Sequence, residues 1–275
     1  GAFCLSFGGI IVKSFENANL WQILFWRQTF FAIIVVLYLL LSYKKNIFKS
    51  FYNSGLSGFI AGFVLSIGFS AYVFSMYYTT VANANFIITT ETIFLAVFGY
   101  LFLKEKISLI TFISIVFGML GVLLILGNSL SIQSNEQFIG NIVAFLAPIS
   151  LAVFVIIIRK LPNVDMVPAQ FIAGVFSAIF AYFIASNLSI SPHDLFLASL
   201  SGFFQIGFGF ILITIGSQTT PSAVVGVLML TEVVFGPLWA WLFINEMPPI
   251  SVLIGGSIII FSILLQSFYK NIFHR

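Results

Sequence analysis

The chain consists almost entirely of apolar runs of about 20 residues, separated by short polar gaps. A helical run of this length matches the hydrocarbon thickness of a bilayer. Charged residues make up 7% of the chain, against roughly 25% in soluble domains. So few charges cannot cover a water-exposed surface, but they can decorate the loops of a lipid-embedded protein. We therefore predict an all-α integral membrane protein.

Ten such runs can be counted, and the gaps between them are too short for a separate soluble domain. Neighbouring helices must therefore be antiparallel. Because the sequence begins at Gly1 inside an apolar run, we expect the first helix to be shortened there. The predicted spans are 1–15, 19–42, 56–79, 82–103, 107–127, 138–159, 167–186, 194–217, 221–244 and 249–268.

Lysine and arginine are unevenly distributed between the two sides of the predicted bundle. With the N-terminus inside, Lys13 falls on the outer side and Arg27 lies within a span, while all the others fall on the inner side. Cytoplasmic loops carry such an excess of basic residues, so we predict a protein of the cell (inner) membrane with both termini in the cytoplasm. The basic residues are topology signals, and no nucleic-acid partner is expected. The inner set is Lys44, Lys45, Lys49, Lys104, Lys106, Arg159, Lys160, Lys270 and Arg275.

An offset of 141 residues aligns polar positions in two parts of the chain without a gap. Chance could align apolar residues, but acidic residues inside and at the ends of helices are harder to match by chance. Five helices per half would give the second half the opposite orientation, which is the inverted repeat of many secondary transporters. We predict a first repeat at 1–130, a second at 138–268 and a cytoplasmic tail at 269–275. The aligned pairs are Thr90-Glu91 with Thr231-Glu232, Leu101-Phe102 with Leu242-Phe243, and Glu105 with Glu246.

Both halves carry a helix-end pattern of Leu-Phe-x-x-Glu after an apolar helix. The relevant stretches are Tyr77-Tyr78-Thr79-Thr80-Val81-Ala82, Glu91, Leu101-Phe102-Leu103-Lys104-Glu105-Lys106, Leu230-Thr231-Glu232 and Pro237-Leu238-Trp239-Ala240-Trp241-Leu242-Phe243-Ile244-Asn245-Glu246. With these motifs the chain resembles, over nearly its whole length, the EamA-type proteins of the drug/metabolite transporter superfamily. The resemblance implies ten helices, a central cavity lined by helices one to four and six to nine, and two outer helices, five and ten. It also implies a cargo among amino acids, amines, nucleotide sugars and drugs.

One position departs from the family pattern. Many members have proline in the fourth helix where this chain has Thr92 or Ile93, whereas Pro237 supplies a helix breaker in the second half. The sequence therefore offers less reason to expect a hinge in the fourth helix than in the ninth.

Three charged residues, Arg27, Glu91 and Glu232, lie within predicted spans. Each would cost about 2.5–3.5 kcal/mol at the bilayer centre if left unpaired. They must therefore face an aqueous cavity, pair with one another or be neutralised. We interpret Glu91 and Glu232 as groups for cation binding and proton coupling, because two neighbouring carboxylates repel and can exchange a proton. The alternative is a structural pair in which Arg27 neutralises one of them.

The guanidinium of Arg27 could bind a substrate carboxylate or phosphate through its planar fork, or form a salt bridge, or extend to the outer interface. Trp239 follows Glu232 by seven residues and should share its helix face, so with Tyr72 it could complete an aromatic cage for a cation. The interfacial aromatic belt is the alternative for these rings. Gln205 and Asn85 are further substrate-binding candidates, although hydrogen bonding between helices would also explain them.

The sequence contains no P-loop and no nucleophile elbow, and we expect neither an enzyme, nor a metal site, nor a cofactor. We predict a secondary transporter for a small amino acid, amine or other zwitterion or cation, proton-coupled, as monomer or homodimer. Two alternatives stay open: a carrier of an anionic metabolite that depends on Arg27, and a non-transporting membrane scaffold or sensor.

Overall fold

The structure is a computed structural model that describes residues 1–127, 134–244, 247 and 249–273. All the regular structure in these residues is helical. A 3₁₀ turn spans Lys44–Asn46 and a π-helical segment spans Ser201–Phe208. In chain order the α-helices are α1 Ala2–Leu5, α2 Gly8–Lys13, α3 Leu20–Tyr43, α4 Ile47–Tyr78, α5 Val81–Thr89, α6 Glu91–Leu103, α7 Leu109–Leu126, α8 Asn135–Ala144, α9 Leu146–Lys160, α10 Val167–Ile184, α11 Pro192–Leu200, α12 Gly209–Ser217, α13 Ser222–Met229, α14 Thr231–Ile244 and α15 Ile250–Phe273.

Several helices begin where a polar side chain caps the first free backbone N–H groups. Asn19 accepts from the backbone of Trp21 and Gln22, while the Gln22 side chain accepts from the Asn19 N–H, which completes a capping box before α3. Ser108 caps α7 through the backbone N–H of Thr111. Such caps matter at a membrane boundary, because unsatisfied backbone groups are costly in lipid.

Eight stretches of the described residues are long and apolar enough to cross a membrane. One of them, Leu20–Tyr78, has 59 residues and contains the second and third predicted spans. It includes two left-handed residues, Lys44 and Gly55, at φ 50° and 51°. The first predicted span consists of the short helices α1 and α2. The chain is therefore an all-helical, multi-pass membrane protein, and ten spans remain a prediction.

The predicted fourth and ninth helices are each divided into two shorter helices. α5 ends at Thr89 and α6 starts at Glu91, while α13 ends at Met229 and α14 starts at Thr231. At the first break the Thr89 and Thr90 hydroxyls donate to the carbonyls of Phe86 and Ile87, at 2.7 and 2.5 Å. Back-bonding of this kind often bends helices, and it accompanies this break, which has no proline.

In the ninth helix the break does not fall at its proline. Pro237 lies inside α14, whereas the interruption is at Leu230. Both interruptions thus occur at positions without proline, and whether the fourth helix contains a hinge stays a prediction.

Helices α7 and α15 pack together antiparallel through small residues. A Cβ atom on Gly121 would lie 2.7 Å from the Gly255 carbonyl oxygen, so only glycine permits this backbone approach. Nearby, Gly118 faces Ser262 and Gly121 faces Ile259. Small residues are the usual means of close helix packing in lipid, where apolar burial drives no association.

Candidate functional site

A cavity of about 60 Å³ lies in the centre of the bundle. It is lined by residues from the predicted helices one to four, six, eight and nine, and none of its lining residues comes from α7 or α15. The polar side chains at the cavity are Arg27, Tyr72, Glu91, Gln205 and Glu232. Its apolar wall consists of Leu5, Leu65, Gly68, Phe69, Ile88, Ala147, Leu151, Ile206, Phe210 and Met229.

Arg27 projects from α3 and is 5% exposed. Its Nε donates to the Ser201 hydroxyl at 3.1 Å, and its Cζ lies 5.0 Å from the centre of the Tyr72 ring. Its Nη1 is buried and has no hydrogen-bond partner among the described residues. A guanidinium has five N–H donors, so this one keeps an unused donor group at Nη1 within the protein.

The two carboxylates lie in the first turns of α6 and α14, directly after the helix breaks. A helix N-terminus carries a partial positive charge that favours an anion there. Glu91 is buried, at 5% exposure, and Glu232 is partly exposed. In the described part of the chain, neither glutamate forms an ion pair with Arg27.

Gln205 belongs to the π-helical segment and connects it to α1. Its Oε1 accepts from the Ser201 hydroxyl at 2.6 Å, and its Nε2 donates to the Leu5 carbonyl at 3.4 Å. Ser201 was not predicted from the sequence. The signal was a serine four residues before an in-span glutamine, which places two polar groups on one helix face.

Trp239 and Asn85 do not line this cavity. The Trp239 ring stacks on Phe7 at 4.5 Å, and its Nε1 donates to the Ser6 hydroxyl at 2.8 Å. Seven residues advance a helix by about 10 Å, which carries Trp239 past the cavity to α1 and α2. Six residues rotate a helix by about 240°, so Asn85 and Glu91 face different directions even before the break at Thr90. They lie outside this cavity, and their assignment to the binding site stays a prediction.

A polar cluster around Glu105 joins α6 to the second half of the chain. Its Oε1 accepts from Arg159 Nε at 2.9 Å and Nη2 at 2.6 Å. Its Oε2 accepts from the backbone N–H and the hydroxyl of Ser222, at 2.8 and 2.7 Å. Glu105 thus links two elements and caps α13. Its repeat partner Glu246 lies outside the described residues, as do Arg275 and the side chain of Lys270.

Asp194 makes a second connection between the halves, which was also not predicted from the sequence. It is fully buried, and its carboxylate accepts from the backbone N–H groups of Glu16, Asn17 and Ala18 at 2.9–3.0 Å. The available signal was Ser191 three residues earlier, since Ser-x-x-Asp is a helix-start pattern.

The groups at the cavity match a solute that offers an acceptor to Arg27 and a donor or positive charge to the glutamates. Among the described residues, no cluster of three or more His, Cys, Asp or Glu side chains could bind a metal ion. Acidic and basic side chains, together with a polar amide, lie in a mainly apolar wall. This combination suits selective, reversible binding of a small polar molecule.

Similarity to known proteins covers nearly the whole chain. The profile of the EamA-like transporter family matches residues 1–127 and 138–268. An "uncharacterized transporter" of Methanothermobacter thermautotrophicus is 28% identical over 189 residues, covering 65% of this chain and 54% of that protein. The chain thus spans about half the length of this relative.

Two further similarities extend over most of the chain. Solute carrier family 35 member G1 of Homo sapiens is 25% identical over 262 residues, covering 90% of this chain and 71% of that protein. One crystal structure of a protein at 14% identity superposes with a TM-score of 0.81, covering 98% of this chain and 94% of the other. At this identity, the superposition establishes the fold only.

Proposed function

Since the chain belongs to the EamA-like transporter family, we propose that it is a secondary active transporter that moves a small zwitterion or cation, such as an amino acid or amine. Membership in this family makes the chain a multi-pass membrane transporter and not an enzyme. The finer proposal concerns its cargo, its coupling and its mechanism.

The observation that carries the proposal is the set of opposite charges at one cavity. Arg27 has an unused buried donor, and Glu91 and Glu232 line the same space without pairing with it. A substrate with a carboxylate and an ammonium group could bridge the two sides and satisfy both. An amine alone would use the glutamates.

Proton coupling is proposed for Glu91 and Glu232. Two carboxylates at one mainly apolar cavity repel each other, and a shared proton relieves this repulsion. A cationic substrate would relieve it in the same way. Proton and substrate would therefore compete for one site, which is the simplest basis for exchange.

Alternating access between two inverted repeats is supported by contacts that follow the 141-residue offset. Under that offset, Gly118 and Gly121 correspond to positions 259 and 262. The Gly118–Ser262 contact therefore corresponds to the Gly121–Ile259 contact when the two halves are interchanged. The helix breaks beside Glu91 and Glu232 add discontinuous helices, which form the substrate sites of many carriers. We also propose an inner-membrane location, cytoplasmic termini, and a monomer or homodimer.

A second candidate is a carrier for an anionic metabolite. The buried, unpartnered Nη1 of Arg27 favours it, because an oxyanion would satisfy that donor most directly. The two glutamates would then accompany the substrate with bound protons. Substrates with and without an amino group distinguish the two candidates.

The test is counterflow in proteoliposomes that contain the purified chain, with labelled amino acids, amines and organic acids. We expect exchange of amino acids or amines, stimulated by a proton gradient. Glu232→Gln should abolish the pH dependence, and Arg27→Ala should weaken the uptake of carboxylate-bearing substrates. Unchanged pH dependence in Glu232→Gln would contradict proton coupling. Uptake of organic acids alone would favour the second candidate.

A further inference from the structure

The orientation of the Arg27 side chain is set by uncharged residues, which do not themselves contribute to the balance of charges at the cavity. Its Nε is engaged by Ser201, whereas Nη1 is unpartnered. An arginine held by Nε presents its opposite, Nη edge in one direction. What fixes Nε therefore decides where the free edge lies.

We propose that Ser201 is a specificity-determining positioning residue, whose hydroxyl holds Arg27 so that the Nη edge receives the carboxylate of the substrate. The inference rests on the proposed function, and it identifies which residue gives that function its selectivity for acids.

The hydrogen bonds form one chain in which Arg27 donates to Ser201, Ser201 donates to Gln205 and Gln205 donates to the Leu5 carbonyl. The Leu5 carbonyl accepts from Gln205 Nε2, which fixes the side-chain amide so that its Oε1 faces Ser201. The Ser201 hydroxyl donates its only hydrogen bond to that oxygen, at 2.6 Å. Its lone pairs are then left to accept from Arg27 Nε, at 3.1 Å. Ser201 can serve only as an acceptor towards the guanidinium.

The backbone holds Ser201 at this distance. A Cβ on Gly202 would lie 2.5 Å from Phe30 Cβ and 2.6 Å from the Arg27 carbonyl oxygen, so the π-helical segment packs directly against α3. Ser201 and Arg27 are both buried, at 2% and 5% exposure. With water excluded, loss of the hydroxyl cannot be compensated by solvent. π-Helical turns are frequent at functional sites, and here the turn aligns Ser201 with Gln205.

Ser201→Ala tests the assignment, with Ser201→Thr as the conservative variant. Ser199→Ala is the matched control, because Ser199 lies two residues away, is partly exposed, and donates to the Phe196 carbonyl. The probes are three pairs that differ by one carboxylate: glycine and methylamine, L-alanine and ethylamine, and L-serine and ethanolamine. Counterflow in proteoliposomes gives KM and maximal rate for each.

We expect Ser201→Ala to raise KM for the amino acids about tenfold, the effect of losing one charge-assisted hydrogen bond. The amines should change less than twofold. Ser201→Thr should retain the preference for acids, and Ser199→Ala should behave as the parent. A purely structural role would instead lower the thermal unfolding temperature and the rates for acids and amines together.

The possible failures are distinguishable. If Arg27→Ala removes the preference for acids but Ser201→Ala does not, the positioning role is overturned and the proposed function stands. If Arg27→Ala leaves the preference for acids intact, this inference is overturned while transport of zwitterions and amines stands. If the parent protein transports none of the six probes, the proposed function is overturned and this inference with it.

Discussion

At the scale of single residues, the main energetic cost is the desolvation of three ionisable side chains inside the membrane-spanning helical bundle. Arg27 recovers part of its desolvation cost from the Ser201 hydroxyl and the Tyr72 ring, and such cation–π contacts contribute about 0.5–2 kcal/mol. Glu91 and Glu232 gain from the helix N-termini at which they lie. Each group is thus stabilised locally without cancelling another, and all three line one cavity.

Trp239→Phe tests whether this tryptophan belongs to the cavity. Phenylalanine keeps the stacking on Phe7 but removes the hydrogen bond to Ser6. We expect a loss of about 0.5–1.5 kcal/mol in stability, seen as a lower thermal unfolding temperature, with substrate KM unchanged. Trp241→Phe, at a side chain that is 43% exposed, should change neither quantity. A selective loss of amine uptake in Trp239→Phe would return this residue to the binding site.

Five of the seven residues predicted for the site lie at one cavity, because a charge or amide inside an apolar span has few other reasons to be there. Trp239 and Asn85 lie outside that cavity, which the sequence could not show, since helical periodicity gives a face but neither the distance along it nor a break. Ser201 was missed because serines are common in membrane-spanning helices and cost little free energy there. Only its contact with Arg27 distinguishes it.

At the scale of elements, the Glu105 cluster holds α6, α9 and the start of α13 together. Glu105→Gln removes the charge that pairs with Arg159 at 2.6 Å, where the side chains are 18% and 19% exposed. We expect a loss of about 1–2 kcal/mol, less than the 3–5 kcal/mol of fully buried pairs, measured as a lower unfolding temperature in detergent.

Glu16→Gln is the control for that measurement. Glu16 faces His193 at 3.9 Å with its side chain 67% exposed, and exposed pairs contribute little. Equal effects of the two substitutions would mean that the Glu105 cluster does not hold these helices.

Helix interruption was the hardest feature of the elements to predict. Proline is a visible signal, yet the fourth helix breaks at Thr90 without one and α14 continues through Pro237. Two adjacent threonines in a sequence do not indicate a helix break, because threonine hydroxyls also donate to backbone carbonyls in straight helices. The apolar runs themselves, by contrast, predicted where helices occur.

At the scale of the whole molecule, orientation is the testable property. In a Cys4→Ser background, single cysteines at Ser186→Cys and Lys45→Cys should lie on opposite sides, since five predicted spans separate them. We expect a membrane-impermeant maleimide to label Ser186→Cys in intact cells, and Lys45→Cys only after permeabilisation. The reverse pattern would invert the topology. Labelling of both from one side would contradict the number of intervening spans.

The central cavity, at about 60 Å³, has room for about two water molecules and is too small for an amino acid. Entry of cargo must therefore push helices apart, and the work of doing so grows with the volume of the cargo. We expect discrimination by size to appear in the turnover rate and in its temperature dependence more than at equilibrium. A bulky solute could then occupy the protein well and still cross slowly.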